Sequence, residues 1–500
     1  MSLSRRYVER DEQPRSYFNP ANGNLYSDIS KLHALGDGAS IKNAFEKCDT
    51  PIIYIMPMPV GTYAHKESVY PKKQDLEWLG IEITKWYSKT GSAKVNVGDH
   101  FIDVYPLGVW FDVPVGTYLS DVVKAMSELK KLLAVHFQPD IVHKERHDAF
   151  NVVLQSTPAN TGLDLLRWKL PRGVKYESLP SDIEHILLTN FSQQRQELFC
   201  HADHIEDLYN YDGLWMYASC CRHMPVGKII HDEENVYAPY VPGFYHVIVT
   251  VPMDWRHIGL LPMKNPDPVA KRSVYPNVPG YAFDSWCSDK ELQIATEYGW
   301  EYFICERILW PDSQIKGMGG IGQDPLRHWM ETLVKLRQEV ILKYPEPVQG
   351  MLKDAIRQLL NTPIGKMSST KRKVDVYLDD WDDDPGPNTH FIGEENGAMH
   401  YTKNEQLSSY QQQTFQPHWV RYVWCLCKAK VTRAALKVPF EKLVSIRTDG
   451  LWTTTPVAFE NTGKPGCFRE KDLVARGPFE WPRNDPEFVD MITIAREGRN

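Results

Sequence analysis

Two amphipathic helix patterns in direct succession interrupt the strand-rich parts of this 500-residue sequence. The first follows Asp324-Pro325, a favourable N-cap and first-turn pair, and has apolar residues at helical spacing. The second begins after Pro347 and has a similar apolar stripe. Strand-like runs such as PIIYIMPM and GFYHVIVTVPM precede this pair, and a third helix, roughly 419–436, follows it. We therefore expect a mixed α/β protein with a helical insertion.

The composition is that of an ordinary soluble globular protein with more than one domain. Five hundred residues exceed what one hydrophobic core usually supports, while 42% are hydrophobic and 24% are charged. The sequence contains no run of about 18 apolar residues, so it predicts no membrane helix. The N-terminal arginines are not followed by an apolar stretch, so a secretory signal is not expected. The nine cysteines lack zinc-site spacing, which favours free thiols in a reducing compartment. The net charge of −7 neither indicates nor excludes nucleic-acid binding, which depends on local surface charge.

Two aspartates are placed where a side chain can be held at the end of a strand. In VSIRTDGLWTT, Asp449-Gly450 separates two strand-like runs and predicts a hairpin turn. In YNYDGLWMYASCC, Asp212 ends a strand-like run and Gly213 allows close approach of the backbone to a ligand. Taken singly, each aspartate is better explained by an ordinary turn.

The second helix of the pair carries a polar face. Lys353, Arg357, Asn361 and Ile364 are spaced by four, four and three residues, which places them on one side of a helix. A solvated helix face is the simple explanation. Asparagine is, however, a poor residue for a helix interior. The helix is also followed by a basic cluster that suits a polyanion and consists of Lys366, Lys371, Arg372 and Lys373.

The order and spacing of these segments resemble the family B DNA polymerases, particularly the compact kind used in protein-primed replication of phages and linear plasmids. The segment DGLWMYAS resembles the first palm motif of this family, RQLLNTPIGK the finger motif, and RTDG the hairpin tip of the last palm motif. The resemblance covers roughly residues 157–482. It implies a right-hand polymerase palm with helical fingers, preceded by an RNase H-like exonuclease-type domain.

The resemblance also divides the chain. It implies an irregular N-terminal segment at 1–50 and a degenerate exonuclease-like α/β domain with a connector at 51–200. The palm would comprise 201–322 and 374–482, with the fingers at 323–373 between its two parts. The connector is expected at 156–200, and the polar stretch that contains KMSSTKRK and DDWDDDPGP is expected to be a loop. A short tail at 483–500 would leave the thumb minimal or absent.

By the same resemblance, the site residues have separate roles. Asp212 and Asp449 would be the catalytic carboxylates that hold two Mg²⁺ ions, or Mn²⁺ in their place, with the backbone carbonyl of Gly213 as a third ligand. Arg357 would bind the nucleotide triphosphate with support from Asn361, and Tyr217 would pack under the sugar. The residues expected to contact DNA are Lys366, Lys371, Arg372, Lys373 and Lys471.

The sequence departs from the family pattern at several positions. The first aspartate of the last palm motif is Arg447, the finger tyrosine is Ile364, and Pro363 is expected to break the last turn of its helix. No Asp-x-Glu lies on a convincing strand of the N-terminal domain. Glu82 stands alone in GIEITKW, and HKERHDAFN at 143–151 is at best a vestige of the second exonuclease motif. We expect this domain to lack nuclease activity.

These observations predict a template-directed DNA polymerase without proofreading, from a phage or mobile element. Its partners would be template and primer DNA, deoxynucleotides, and a priming protein or a partner that supplies the thumb or processivity. Its location would be the cytoplasm of a bacterium or an infected host cell, with a mitochondrial plasmid as an alternative origin. One alternative function is an inactive polymerase-like module that binds nucleic acid or scaffolds a replication complex. Another is a primase or terminal transferase built on the same palm.

Overall fold

The computed structural model of the protein describes most of the chain. The described residues are 15–19, 24–27, 33–34, 46, 48, 50–56, 82–87, 92–97, 100–113, 117–137, 152, 154–170, 179–192, 195–267, 272–313, 324–368, 373–378, 389–395, 398–404, 414–471 and 475–497. Strands and helices are numbered below along the chain. No helix within these ranges is both long enough and apolar enough to cross a membrane.

The chain forms two compact units, each built from two segments. The first unit combines Met1–Leu170 with His328–Lys366, and the second combines Pro171–Arg327 with Met367–Asn500. The helical pair that the sequence places between strand-rich segments thus packs with the N-terminal part of the chain.

The first unit is built on a mixed sheet in the order β3-β2-β1-β4-β7-β6-β5. β1, β4 and β7 run parallel, and their neighbours on both sides run antiparallel, which fits the predicted RNase H-like arrangement. The central strand β4 is buried along its whole length, as its uniformly apolar sequence IIYI predicts. Its strands are β1 (Arg15–Asn19), β2 (Asn24–Ser27), β3 (His33–Ala34), β4 (Ile52–Ile55), β5 (Glu82–Tyr87), β6 (Ser92–Val97) and β7 (His100–Pro106).

The helices of the first unit bury their predicted apolar stripes. The last of them, α7, packs against both α1 and α2. The stripe of α7 is buried from Val348 to Ile364, whereas Arg357 and Asn361 are exposed. Ile364 therefore points into the core and does not share the polar face, contrary to the prediction from spacing. The helices are α1 (Leu119–Phe137), α2 (Pro158–Lys169), α6 (Arg327–Lys343) and α7 (Val348–Lys366).

Pro363 lies inside α7 and does not break it, because the helix continues to Lys366. The prediction of a broken last turn was wrong. A proline has no N–H to bond the carbonyl of Leu359, four residues back. Gly162 of α2 packs against this place so closely that a Cβ there would lie 2.3 Å from Pro363 Cγ and 2.5 Å from the Leu359 oxygen. The close approach of α2 thus covers the turn that proline interrupts.

The described residues of the second unit form three sheets. The sheet that concerns the candidate site has the order β19-β9-β18-β17-β8, and β20 also pairs with β9. The others have the orders β10-β13-β11-β12 and β14-β16-β15. The strands are β8 (Gln196–Leu198), β9 (His204–Gly213), β10 (Ile230–Asp232), β11 (Gly243–Thr250), β12 (Ala282–Ser288), β13 (Glu301–Leu309), β14 (Lys373–Leu378), β15 (Thr389–Glu395), β16 (Ala398–Asn404), β17 (Leu443–Arg447), β18 (Gly450–Thr453), β19 (Phe468–Glu470) and β20 (Ala475–Glu480).

Helix α8, predicted near 419–436, is buried on almost every side and leads into the β17–β18 hairpin. Its flanking contacts are with α3, α4 and α5. Burial on several faces extends to two of its four cationic residues, Arg421 and Lys428. The helices of this unit are α3 (Ser181–Asn190), α4 (Met216–Cys220), α5 (Asp289–Glu297), α8 (Pro417–Ala435) and α9 (Asp485–Glu497).

Four further predictions about local structure were wrong. The segment 1–50, predicted to be irregular, contains β1, β2 and β3, and the predicted connector at 156–200 contains α2 and α3. The polar stretch predicted to be a loop includes the strand β14. Asp324 does not cap α6, which begins at Arg327. Its carboxylate instead accepts a hydrogen bond from the backbone N–H of His223. In each case the prediction relied on turn-forming and polar residues, whereas the structure of the segment depends on its tertiary contacts.

Candidate active site

Asp212 lies at the end of β9, the strand that pairs with β18, β19 and β20. Its register partners are Gly450 on β18 and Arg469 on β19. Residues directly opposite each other in an antiparallel pair project to the same face. The Asp212 side chain is 21% exposed and therefore reaches solvent from within the sheet. β9 thus presents one partly solvated carboxylate close to its C-terminal end.

Asp449 lies in the tight turn between β17 and β18. The central residues of this turn are Thr448 and Asp449, since Arg447 already pairs with Gly450. The predicted hairpin is confirmed, but Gly450 is a strand residue and not part of the turn. Thr448 has a φ of +56°, a left-handed conformation that is costly for a β-branched residue.

Backbone hydrogen bonds hold this strained turn beside the first aspartate. The N–H of Thr448 donates to the carbonyl of Arg195 at 2.9 Å, and the N–H of Gly213 donates to the carbonyl of Asp449 at 2.9 Å. A side chain on Gly213 would collide with Met216, whose Cε would lie 2.2 Å from its Cβ. Two remote parts of the chain, 237 residues apart, are therefore joined at Asp212-Gly213 and Asp449.

The two carboxylates influence each other electrostatically. Burial, and then the negative charge of Asp212, raise the pKa of Asp449 to about 6, while Lys471 acts in the opposite direction. A like charge close by disfavours the ionised form of a carboxylate, as does loss of water. Such a pair favours the binding of a cation between or beside its members.

A lysine ammonium already lies at this pair. Lys471 follows β19, and its Nζ is 3.1 Å from Oδ1 of Asp212. The backbone N–H of Lys471 donates to the carbonyl of Asn210 at 2.9 Å, which fixes the lysine beside β9. The Lys471 side chain is half exposed, so its ammonium can leave Asp212 and bind another anion from solvent.

Tyr217 lies on the short helix α4, which follows β9 after a sharp change of direction. Trp215 precedes α4 with a φ of +50°. Tyr217 is half-buried, and Ser219 on the same helix is held by Lys430 of α8, whose Nζ donates to the Ser219 hydroxyl at 2.7 Å. The helix that carries Tyr217 is therefore anchored to α8.

Arg447, which stands where the family pattern has its first aspartate, has partners of its own. Its Nη2 donates to Oδ1 of Asp485 on α9 at 2.6 Å, and its guanidinium lies 4.2 Å from the centre of the Phe488 ring. The positive charge of Arg447 is thus neutralised by a residue of the C-terminal helix.

The predicted nucleotide-binding residues of α7 belong to the first unit. Arg357 is exposed, with Nη2 3.3 Å from Oδ1 of Asp354, and Asn361 is exposed one turn further on. Lys366 is the last residue of α7, and Lys373 is the first of β14. Lys371 and Arg372 lie outside the described residues.

The predicted exonuclease-type domain lacks acidic residues on its first strand. β1, the first strand, has the sequence RSYFN and carries no acidic residue. Arg15 and Ser16 are buried there, and the Ser16 hydroxyl accepts a hydrogen bond from Thr50 at 2.8 Å. Glu82 is exposed on the edge strand β5. The segment 143–151 lies outside the described residues.

Sequence reasoning missed Arg195, which is completely buried beside the candidate site. Its Nη1 donates to the Thr432 hydroxyl of α8 at 2.7 Å and its Nη2 to the carbonyl of Gly259 at 2.8 Å. Its backbone carbonyl accepts from Thr448. The polar run SQQRQE gives no signal of burial, because the nearby partner Glu197 could pair with Arg195 equally well on a surface, and the other two partners are remote in the sequence.

Solved structures provide the comparison that decides the fold. Phi29 DNA polymerase complexed with primer-template DNA and incoming nucleotide substrates is 12% identical to this chain, with a TM-score of 0.51. The match covers 94% of this chain and 85% of that one. Phi29 DNA polymerase in an orthorhombic crystal form is 13% identical, with a TM-score of 0.50 and coverage of 91% and 81%.

The chain shares its fold with phi29 DNA polymerase. The predicted resemblance to compact, protein-primed family B polymerases and the predicted mixed α/β fold class are confirmed at the level of the fold. Phi29 DNA polymerase complexed with single-stranded DNA gives a similar match, at 12% identity and a TM-score of 0.50. No protein-family profile and no curated protein sequence matches this chain.

The residues of the candidate site fit the divalent metal that such a fold implies. Mg²⁺ takes oxygen ligands, commonly one or two carboxylates together with substrate phosphates. Asp212 and Asp449 supply this donor type, and the Lys471 ammonium stands in for a cation at Asp212. No group of three or more His, Cys, Asp or Glu side chains among the described residues could hold a metal. Substrate oxygens would therefore be needed to complete the coordination.

Proposed function

We propose that the protein is a template-directed DNA polymerase that adds deoxynucleotides to a primer 3′-hydroxyl without proofreading. The observation that carries this proposal is the pair Asp212 and Asp449 in a phi29-like fold, held together by the hydrogen bond from the Gly213 N–H, next to Asp212 on β9, to the carbonyl of Asp449 in the β17–β18 turn. Phi29 DNA polymerase binds primer-template DNA and incoming nucleotides, which supports DNA and nucleotides as the ligands here.

Each residue has a defined task in this proposal. Asp212 and Asp449 hold two Mg²⁺ ions, which when bound stabilise the charge that develops on the attacking and leaving oxygens. Lys471 releases Asp212 and takes a phosphate of the primer strand. Tyr217 packs against the sugar, and the fork-shaped guanidinium of Arg357 binds the triphosphate.

Primer extension tests the proposal directly. The wild-type protein should extend a labelled primer on a DNA template with Mg²⁺ and all four deoxynucleotides. Asp449→Ala should reduce extension by a factor of at least about 10³, because a carboxylate that holds the reacting charge is lost. Asp254→Ala, which removes an exposed carboxylate outside the site, is the matched control and should extend normally.

The proposed absence of proofreading is tested separately, by a nuclease assay. β1 has no acidic residue, so a primer with a mismatched 3′ end should not be shortened. We expect no release of mononucleotides from a 3′-labelled single strand with Mg²⁺ or Mn²⁺. Nuclease activity that survives Asp449→Ala would contradict this part of the proposal.

Arg447 favours a second candidate, an inactive polymerase-like protein that binds or scaffolds DNA. It replaces a carboxylate of the family pattern with a cation close to the catalytic pair. If neither wild type nor Asp449→Ala extends a primer, yet both bind primer-template DNA equally in an anisotropy titration, this second function replaces the first.

A further inference from the structure

The hairpin that carries Asp449 is held by the C-terminal helix α9 through both of its strands. On β17, Arg447 pairs with Asp485, the first residue of α9, at 2.6 Å. On β18, the Trp452 ring lies edge-to-face with Phe488 of α9, with the ring centres 5.4 Å apart. Arg447 also lies over the same Phe488 ring. We refer to Arg447, Asp485, Phe488 and Trp452 as the α9 brace.

Arg447 is fixed at several points along its side chain. Its Nε donates to the Ser445 hydroxyl at 3.3 Å, while Nη2 bonds Asp485. The guanidinium is only 23% exposed, so its bonds are partly shielded from water. A charge-assisted hydrogen bond of this kind is stronger and more directional than a neutral one.

Only two peptide units separate the Cα atom of Arg447 from that of Asp449. Arg447 is followed by Thr448 in its left-handed conformation and then by Asp449. A strained turn persists only where its surroundings over-determine it. The brace provides this restraint on one side of the turn, and the Arg195 carbonyl provides it on the other.

We propose that Asp485 is a positioning residue, which acts through Arg447 to hold the Asp449 carboxylate in the geometry that binds the metal. The arginine that breaks the family pattern is thus part of the support for the site and does not occupy the metal position. This inference rests on the proposed function for its kinetic test, but its metal-binding test does not.

The structure offers a matched control for the ion pair. Arg433 of α8 and Glu297 of α5 form a pair at 2.6 Å with exposures of 43% and 40%, whereas Arg447 and Asp485 have 23% and 40%. The control pair joins two helices of the same unit and does not involve the hairpin. Asp485 is not the N-cap of α9, because Asn484 accepts from the N–H of Glu487 at 3.0 Å, so changing Asp485 leaves that cap intact.

A third variant separates the two partners of Asp485. Arg272 bonds the other carboxylate oxygen, Oδ2, but does not touch the hairpin. Arg272→Gln removes a bond to Asp485 and leaves the bond to Arg447. The brace predicts a small effect for Arg272→Gln and a large effect for Asp485→Asn, although both remove a charge from the same cluster.

The experiment compares metal binding and primer extension in full-length protein. Mn²⁺ binding is titrated by electron paramagnetic resonance in wild type, Asp449→Asn, Asp485→Asn, Asp485→Glu, Arg272→Gln and Glu297→Gln. We expect Asp485→Asn to weaken Mn²⁺ binding and to lower kcat about tenfold with KM for deoxynucleotide unchanged, because a small displacement of a catalytic group has such a cost. Asp485→Glu should recover most of both, and Glu297→Gln and Arg272→Gln should stay within about twofold of wild type.

The outcomes distinguish the two proposals. Equal Mn²⁺ affinity in Asp485→Asn and Glu297→Gln, at similar melting temperatures, would overturn the positioning role whatever the extension assay shows. If wild type binds Mn²⁺ through Asp449 but extends no primer, the polymerase proposal fails and a weakened affinity in Asp485→Asn still supports the brace. Wild type that binds no Mn²⁺ overturns both.

Discussion

At the scale of the residue, Asp449 shows a conflict between stability and function. Burial and the nearby charge of Asp212 raise the pKa of its carboxyl from an ordinary 3.8 to about 6. Between these values the native state holds a proton that the unfolded state has lost, so stability falls as pH rises from about 4 to about 6. Above pH 6 the ionised carboxylate destabilises the metal-free protein by up to about 3 kcal/mol.

Asp449→Asn should therefore make the metal-free protein more stable while abolishing Mn²⁺ binding. In EDTA, the melting temperature of Asp449→Asn should exceed that of wild type at pH 8, and the difference should shrink as pH falls towards 4. Asp254→Asn, an exposed turn residue, serves as the control and should show no such trend. A wild-type protein more stable than Asp449→Asn at pH 8 would contradict the electrostatic account.

Lys471 gives a second prediction at this scale. Its ammonium, 3.1 Å from Asp212, competes with a metal for the same carboxylate. Lys471→Gln should therefore strengthen Mn²⁺ binding several-fold in the absence of DNA, since about 1 kcal/mol of ion pairing changes a binding constant roughly fivefold. It should also weaken primer-template binding. Lys464→Gln, in the exposed loop before β19, should change neither quantity.

At the scale of the element, the contact between α2 and α7 depends on one glycine. A Cβ at Gly162 would lie 2.3 Å from Pro363 Cγ and 2.5 Å from the backbone oxygen of Leu359. Because a helix backbone cannot yield as a flexible side chain can, Gly162→Ala should destabilise the first unit by about 1–3 kcal/mol.

The same helix pair contains the matched control. A Cβ at Gly365 would meet no atom within 4 Å, so Gly365→Ala should be neutral or should stabilise α7 by up to about 1 kcal/mol. Calorimetric unfolding of both variants measures the contrast. Equal melting temperatures for the two would show that α2 does not approach α7 as closely as described.

At the scale of the whole molecule, the proposed DNA binding would have to overcome a net charge of −7. Affinity for primer-template DNA should therefore depend on a local basic surface and fall steeply with salt. Replacing Lys371 and Arg372 together by glutamine should make the plot of log affinity against log salt shallower by about 2, since each phosphate contact contributes about 0.9.

Lys85 on the edge strand β5 and Lys94 on the adjacent strand β6, both exposed, provide the control pair for this experiment. Their double replacement by glutamine makes the same change in net charge. Anisotropy titrations at several KCl concentrations measure both slopes. If the two double variants have the same slope, the basic cluster after α7 does not contact phosphate.

The sequence by itself determined the elements whose signal is local. The apolar stripes of α6 and α7, the approximate position of α8 and the hairpin around Asp449 could be predicted because periodicity and turn residues act over a few neighbouring positions. The order of the polymerase-like motifs predicted the fold class and the pair Asp212 and Asp449, since that order depends only on the chain.

The tertiary structure alone decided which partners these residues meet. Arg447 pairs with Asp485, which is 38 residues further along the chain, and Arg195 is buried against Thr432. Pro363 lies within a helix at the place where Gly162 packs closely against it. Asp449 acquires its raised pKa only when folding brings Asp212 beside it and removes water. Partner choice and dielectric environment arise from contacts between remote segments, and no local pattern in the sequence encodes them.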